Sequence, residues 1–341
     1  MKSLLQRYSV QLFLVTLGGI ITYLAYEEAI GLYYLSVLMF MGVNIILSTS
    51  LNLVNGNMGE FSCGHAGFMC VGAYVSSILG VLLFSKDKIF GAPLLDPAIA
   101  VYCFPLIILA GGVAAAIAGL LVALPSFKTR GDYLAIITIA ANYIIISFIE
   151  NLGSIGGSRG FMGMKKVVNA MRDTVDLPWM VIWVFVFTVF TIWILRRYNS
   201  STFGKGVSAI CQDEVAAEIM SVNTNKMKAI TFMLSSGLAG VAGGLFAYII
   251  GYVNPGSFNI LKSTEVLVMV YLGGMASLSG AVMSAIFFTI LLEVLRPLQI
   301  FKWVIIPLIL IIVMQFRPEG IMGNRELSDV FPWMKRFYRF K

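Results

Sequence analysis

Charge is scarce in this sequence. Asp, Glu, Lys and Arg make up 12% of its 341 residues, about half of the roughly 25% usual in soluble domains. What charge there is stays out of ten apolar stretches, none of which contains an Asp, Glu, Lys or Arg. This excludes a pair of soluble domains and predicts one integral membrane bundle. Histidine is reduced to His65, and the four cysteines, Cys63, Cys70, Cys103 and Cys211, match no metal-ligand spacing. Three of them lie in or beside apolar runs, where Cys behaves as a small hydrophobe, so neither a metal site nor a disulfide is expected. No G-x-x-x-x-G-K-[ST] phosphate loop occurs, and Gly204-Lys205-Gly206 lacks the upstream glycine and the following hydroxyl. No nucleophile, base and orienting acid fall together. The chain is therefore expected to be no enzyme and to bind no cofactor; ATP, if used, sits on another chain.

Apolar residues are abundant, at 59%. A hydrocarbon layer about 30 Å thick takes roughly 20 apolar residues as helix. That ruler places spans near Val10–Tyr26, Leu32–Val54, Gly64–Phe84, Ala98–Leu124, Tyr133–Ile149, Trp179–Leu195, Ala229–Ile250, Val266–Ala276, Gly280–Leu292 and Trp303–Phe316. The expected fold is an all-α polytopic membrane protein of about ten transmembrane helices, with residues 1–341 as one domain in the lipid bilayer. A basic start without a small-residue cleavage pattern makes the first span an uncleaved one. The net charge of +7 sits mostly at span ends, where the positive-inside rule accounts for it without nucleic acid.

The eighth and ninth spans are too short alone. Ser277-Leu278-Ser279-Gly280 separates them, which predicts a Gly-rich broken or re-entrant pair, tolerated where protein or a water-filled cavity covers the bare backbone. Asn55 to His65 makes a similar polar interruption in the first half. Gly64-His65-Ala66-Gly67 followed by Gly72-Ala73 parallels Gly273-Gly274-Met275-Ala276 followed by Gly280-Ala281. Paired Gly-interrupted segments point to a translocation path, with Asn55, Gly64, His65, Gly273, Gly274 and Ser277 as its candidate residues. Small residues that let helices approach closely are the plainer account. His65 is either a ligand or switch or a neutral donor capping freed carbonyls.

Lys2 and Arg7, then Arg196, Arg197, Lys205, Lys226 and Lys228, then the basic tail from Arg317 to Lys341 all fall on one side for ten spans. That side is predicted cytoplasmic, with both termini on it. Residues 151–177 then lie outside despite Arg159, Lys165, Lys166 and Arg172, long enough to form a docking surface. Ion-coupled carriers need ionisable groups in the membrane. Their lack here argues strongly against proton coupling and less strongly against sodium coupling, because backbone carbonyls can bind sodium.

The one substantial internal polar stretch is 196–228. From Phe203 to Val222 it is expected to form one amphipathic helix, with Val207, Cys211, Val215 and Ile219 as an i, i+4 row. An anionic leaflet would repel Asp213, Glu214 and Glu218. Docking into a protein groove fits better, with Ala216 and Ala217 allowing close approach and the acids meeting basic residues of a partner.

Four phrases occur in order: Leu51-Asn52-Leu53-Val54-Asn55-Gly56 with Gly64-His65-Ala66, Arg130-Gly131-Asp132-Tyr133-Leu134-Ala135-Ile136, Asp213 to Met220 with Asn223, and Tyr271-Leu272-Gly273-Gly274-Met275 with Ser277-Leu278 and Gly280. Together, over Leu51 to Gly323, they resemble the permease subunits of branched-chain amino-acid ABC importers, the larger-type permease above all. The resemblance implies an import complex in the plasma membrane of a prokaryote, the inner membrane if Gram-negative. Its partners would be two cytoplasmic ABC ATPase subunits, a second and different permease, and an external solute-binding protein seated near Lys165, Lys166 and Arg172. By the same resemblance Asp213, Glu214, Ala216, Ala217 and Glu218 fall in the coupling helix that enters a cleft of the ATPase. Ser221 stands where that family usually has Gly. Urea or short-amide permeases share these phrases, and a stand-alone channel remains the alternative of another class, though a channel gives no reason for residues 196–228.

Overall fold

The computed structural model describes residues 16–86, 91–127, 133–275, 277–316, 320–323 and 326. Its helices are α1 (Thr16–Tyr26), α2 (Leu32–Asn52), α3 (His65–Phe84), α4 (Ala100–Ser126), α5 (Tyr133–Glu150), α6 (Met164–Thr174), α7 (Trp179–Ser200), α8 (Thr202–Gln212), α9 (Glu214–Ile219), α10 (Thr224–Ile250), α11 (Ile260–Gly273), α12 (Leu278–Val294) and α13 (Lys302–Phe316). Six continuous helical runs, Leu32–Asn57, His65–Phe84, Pro97–Ser126, Tyr133–Glu150, Trp179–Ser200 and Thr224–Ile250, are long and apolar enough to cross a membrane.

Ten expected spans therefore become six long helices and several shorter ones. The reasons are local. The pair near 266–292 is split at Gly274, which stands at φ +106 and ends α11. The last span stands as expected, as the 15-residue α13, too short to count among the long helices; the 3-10 turn Arg296–Phe301 precedes it and Pro307 lies within it. The first span is described only from Thr16, and of the expected basic side Lys2, Arg7 and most of the tail lie outside the described residues. The fold also departs from all-α by one short antiparallel ribbon: β1 (Phe161–Met162) pairs with β2 (Tyr252–Val253).

Helices α3, α4 and α10 form the centre of the bundle, and glycine sets their spacing. A Cβ on Gly72 of α3 would collide with the backbone of Gly240 on α10, and one on Gly243 with the Met69 carbonyl. On α4, a Cβ at Gly111 would lie 2.7 Å from the Gly72 carbonyl oxygen. Backbones that touch maximise van der Waals contact where lipid removes the hydrophobic incentive for helices to associate. Larger side chains fill around this contact: Phe104 meets Tyr248 edge-on, Phe68 meets Phe232 edge-on, and the Tyr248 hydroxyl donates to the Ser76 carbonyl.

The stretch 151–177 is ordered chain. After two 3-10 turns and β1 comes α6, whose Met164, Val167 and Met171 are buried at helical spacing while Lys165, Lys166 and Arg172 face out. Residues 151–177, expected as an external docking surface, thus include a helix whose three apolar positions carried the helical period in the sequence.

Candidate functional site

Residues 203–222 do not form one helix. Asp213 takes an extended backbone (φ −157, ψ 109), ends α8 and caps α9, its carboxylate accepting from the Ala216 N–H at 3.0 Å. Aspartate competes well for this role because its short side chain reaches the free amides of a first turn. The break rotates the two halves of the expected row apart. Val207 and Ile210 on α8 are buried, whereas Val215 and Ile219 on α9 are 64% and 77% exposed and Met220 is 78% exposed. Ala217 is the inward residue, 5% exposed and packed against its own chain, while Ala216 faces out. Ala217, one of the two small residues expected to admit a partner, thus seats α9 on its own bundle, while Val215, Ile219 and Met220 stand outward beside the exposed Ala216, Glu214 and Glu218.

The acids are engaged within the chain. Asp213 is the cap, Glu214 pairs with Lys228 at 2.8 Å, and the Glu218 carboxylate accepts from the Thr224 hydroxyl at 2.8 Å. The turn into α10 is closed by the Val222 N–H donating to the Ala217 carbonyl and by Asn223, which caps Lys226. Ser221 in this turn stands at φ +63, the left-handed region that favours glycine.

Among the candidate path residues, the structure brings both breaks to the end of α2. That helix passes through a π turn at Leu53–Asn57 into an irregular stretch before α3. Asn55 holds this stretch, its Oδ1 accepting from the Ser62 N–H at 3.2 Å. Gly64 precedes α3 with its would-be Cβ against the Thr138 carbonyl, and the Thr138 hydroxyl accepts from the Cys63 N–H at 3.1 Å. His65 is buried, with its Nε2 2.8 Å from the Ser50 hydroxyl. At the second break, Gly273 packs on Gly280, and the Ser277 hydroxyl accepts from the Gly280 N–H at 3.0 Å. The Ser277 carbonyl accepts from Asn52 at 3.0 Å, the Ala66 N–H donates to Ser263 of α11 at 3.1 Å, and the Phe61 and Tyr271 rings lie 6.3 Å apart. Protein covers the bare backbone here: the Ile321 and Met322 N–H groups donate to the Leu272 and Gly273 carbonyls, and the Glu326 carboxylate accepts from the Leu278 N–H at 2.8 Å.

Lys165, Lys166 and Arg172 share one face of α6. The Lys166 ammonium donates to the Lys86 carbonyl at 3.0 Å, Arg172 pairs with Asp176 at 3.1 Å, and the Lys165 stem lies over Gly251 at the end of α10.

Two features escaped the sequence. Lys228, Glu60 and Glu214 converge from segments far apart in the chain, which no local pattern signals. Asn142 of α5 is fully buried one turn beyond Thr138, and neither its Oδ1 nor its Nδ2 has a partner; a polar residue inside an otherwise apolar span was the available sign. Among the described residues no group of three or more His, Cys, Asp or Glu is placed to hold a metal.

Comparison with known proteins agrees with this architecture. Residues 33–314 match the family model described as "Branched-chain amino acid transport system / permease component". The chain is 27% identical over 304 residues to the high-affinity branched-chain amino acid transport system permease protein LivM of Salmonella typhimurium, covering 82% of this chain and 68% of that protein. It is 25% identical over 321 residues to the corresponding LivH of Escherichia coli, covering 88% of this chain and 98% of that one. A probable branched-chain amino acid transport permease protein LivM of Methanocaldococcus jannaschii is 23% identical over 334 residues, 88% of this chain and 95% of that protein. No solved structure matches. The matched segment runs from α2 through most of α13, taking in both breaks and α9, so the chain belongs to the family of multi-pass membrane permease components of branched-chain amino acid ABC transport systems, subunits that are not themselves catalytic.

Proposed function

We propose that this chain is the permease of an ATP-driven importer that carries branched-chain or other small neutral amino acids across a prokaryotic plasma membrane, with both termini in the cytoplasm. The observation that carries the reading is α9: a six-residue helix seated on its own bundle by Ala217, its exposed acids Glu214 and Glu218 bonded within the chain, with Val215, Ile219 and the following Met220 standing outward. A short apolar surface held rigidly from behind suits insertion into a cleft of a cytoplasmic ATPase. ATP closes that cleft, α9 is displaced, and the bundle changes the side on which it opens.

A second, different permease completes the membrane unit. An external solute-binding protein delivers cargo to the α6 face, where Lys165, Lys166 and Arg172 offer positive charge to an acidic rim. Asn55, His65, Ser277 and the glycines at 64, 273 and 274 lie where the two breaks meet, the region from which the path would open.

The test is reconstitution in liposomes with the partner permease, two ATPase subunits and the binding protein, using radiolabelled leucine. Uptake that requires ATP and survives collapse of the proton gradient supports the reading. Leucine flux without ATPase subunits would instead support a facilitator, and urea uptake with no leucine uptake an amide permease. Ile219→Asp is expected to abolish retention of the ATPase; full retention would sink the role given to α9.

A further inference from the structure

Lys228 is the fifth residue of α10, and its side chain is only 8% exposed. Its ammonium lies 2.7 Å from Glu60 Oε1 and 2.8 Å from Glu214 Oε1. Glu60 belongs to the irregular stretch between the π turn and α3, and Glu214 is the first residue of α9. One cation therefore joins three separate segments: the head of α10, the foot of the first break and the proposed ATPase-binding helix.

The arrangement has a second point of contact. Cys211, at the end of α8, rests on the same stretch, with its Sγ 2.8 Å from where a Cβ on Gly59 would stand. Gly59 itself sits at φ +75, so both its backbone and the space above it demand glycine. The α8–α9 corner thus touches residues 59 and 60 through one packed contact and one charged one.

Burial differs along the cluster: 8% exposed at Lys228, 21% at Glu60 and 44% at Glu214. An exposed ion pair contributes little, but removing one member of a buried pair leaves an uncompensated charge in a poorly solvated place. Lys228 with Glu60 is the anchored pair, and Glu214 is the member that α9 presents to it.

We propose that Lys228 is a positioning residue that carries displacement of α9, through Glu214, to Glu60 and so to the break at the head of α3. The inference rests on the reading of α9 given above. Arginine at 228 preserves the link, since it keeps the charge and adds donors, while methionine keeps the stem and removes the charge.

The experiment measures leucine imported per ATP hydrolysed by the complete complex in liposomes, with co-purification of the ATPase as the measure of docking. Lys228→Met, Glu60→Gln and Glu214→Gln are each expected to lower that ratio at least tenfold with the ATPase still retained, and Lys228→Arg is expected to keep at least half of it. An undiminished ratio in Lys228→Met overturns the inference. Should Lys228→Met fail to insert, a wild-type ratio in both glutamine variants overturns it instead. Failure of the wild-type chain to retain the ATPase would overturn the reading of α9 itself, and the inference with it.

Discussion

The side-chain amide of Asn52 donates to the main-chain carbonyl of Ser277 at 3.0 Å, joining the end of α2 to the head of α12 across 225 positions of sequence. Helix α2 makes two further bonds along the same face, from Ser48 to the Ala281 carbonyl and from Asn44 to Thr289. A polar seam of this kind fixes register between helices that apolar packing alone would let slide.

Asn52→Leu is expected to destabilise the bundle by about 1–3 kcal/mol, the range for losing a buried hydrogen bond and leaving its acceptor short of a donor. Thermal unfolding in detergent checks this. A melting temperature equal to that of the parent would show that the seam contributes nothing.

Ser221→Gly should stabilise the turn between α9 and α10. Ser221 is held at φ +63, which costs an L residue about 1–2 kcal/mol, against about 0.4–1 kcal/mol by which Gly favours the unfolded chain. A net gain on the order of 0.5–1 kcal/mol follows. Ser221→Val should lose stability, because a β-branched side chain tolerates this region poorly. Equal melting temperatures for the two variants would contradict the turn geometry.

Cys211 is the exposed cysteine of the four, yet partial burial pushes its thiol above the ordinary value, and the nearby Glu60 carboxylate pushes it further. A raised value means less thiolate at a given pH, and thiolate is the reacting form. Alkylation by iodoacetamide at neutral pH is therefore expected to be slower than for a free thiol, to rise with pH, and to speed up in Glu60→Gln as the pH profile shifts downward. Mass spectrometry of labelled peptides gives the rates. A profile unmoved by Glu60→Gln would separate the two groups.

Asn142→Leu separates stability from transport. The unpartnered buried amide is a burden that an apolar side chain of similar shape relieves, by about 1–3 kcal/mol. The melting temperature is expected to rise while ATP-driven leucine uptake falls, because a buried amide left free beside the first turn of α3 is placed to meet a polar solute when the helices part. Unimpaired uptake would remove Asn142 from the path.

Much of the bundle was legible because membrane helices write themselves as length and apolarity. The interruption at residues 55–65 was legible too, as glycine and polar residues within an apolar run, whereas the second, expected at 277–280, begins earlier, since α11 already ends at Gly273 and α12 starts at Leu278. The segment around Asp213 was misjudged for a physical reason. Val207, Cys211, Val215 and Ile219 keep perfect helical spacing in sequence, but one aspartate able to cap α9 outweighed the period. The sequence sign was present, an acid at 213 followed by a glutamate suited to a first turn. What no local pattern reveals is who meets whom: Lys228 finds Glu60 from 168 positions away, and Ala217 faces inward because α9 has been turned.

Helix α10 runs unbroken from Thr224 to Ile250, about 40 Å at 1.5 Å per residue. At one end it holds Lys228; at the other its left-handed cap Gly251 lies beneath Lys165, and β2 follows to pair with β1. Glycine contacts on α3 and α4 hold it along the middle at backbone-to-backbone distance. Thermodynamic coupling between two sites is reciprocal. Under the function proposed above, with an ATPase at the Lys228 end and a solute-binding protein at the Lys165 end, binding at either end would alter affinity at the other by the same free energy.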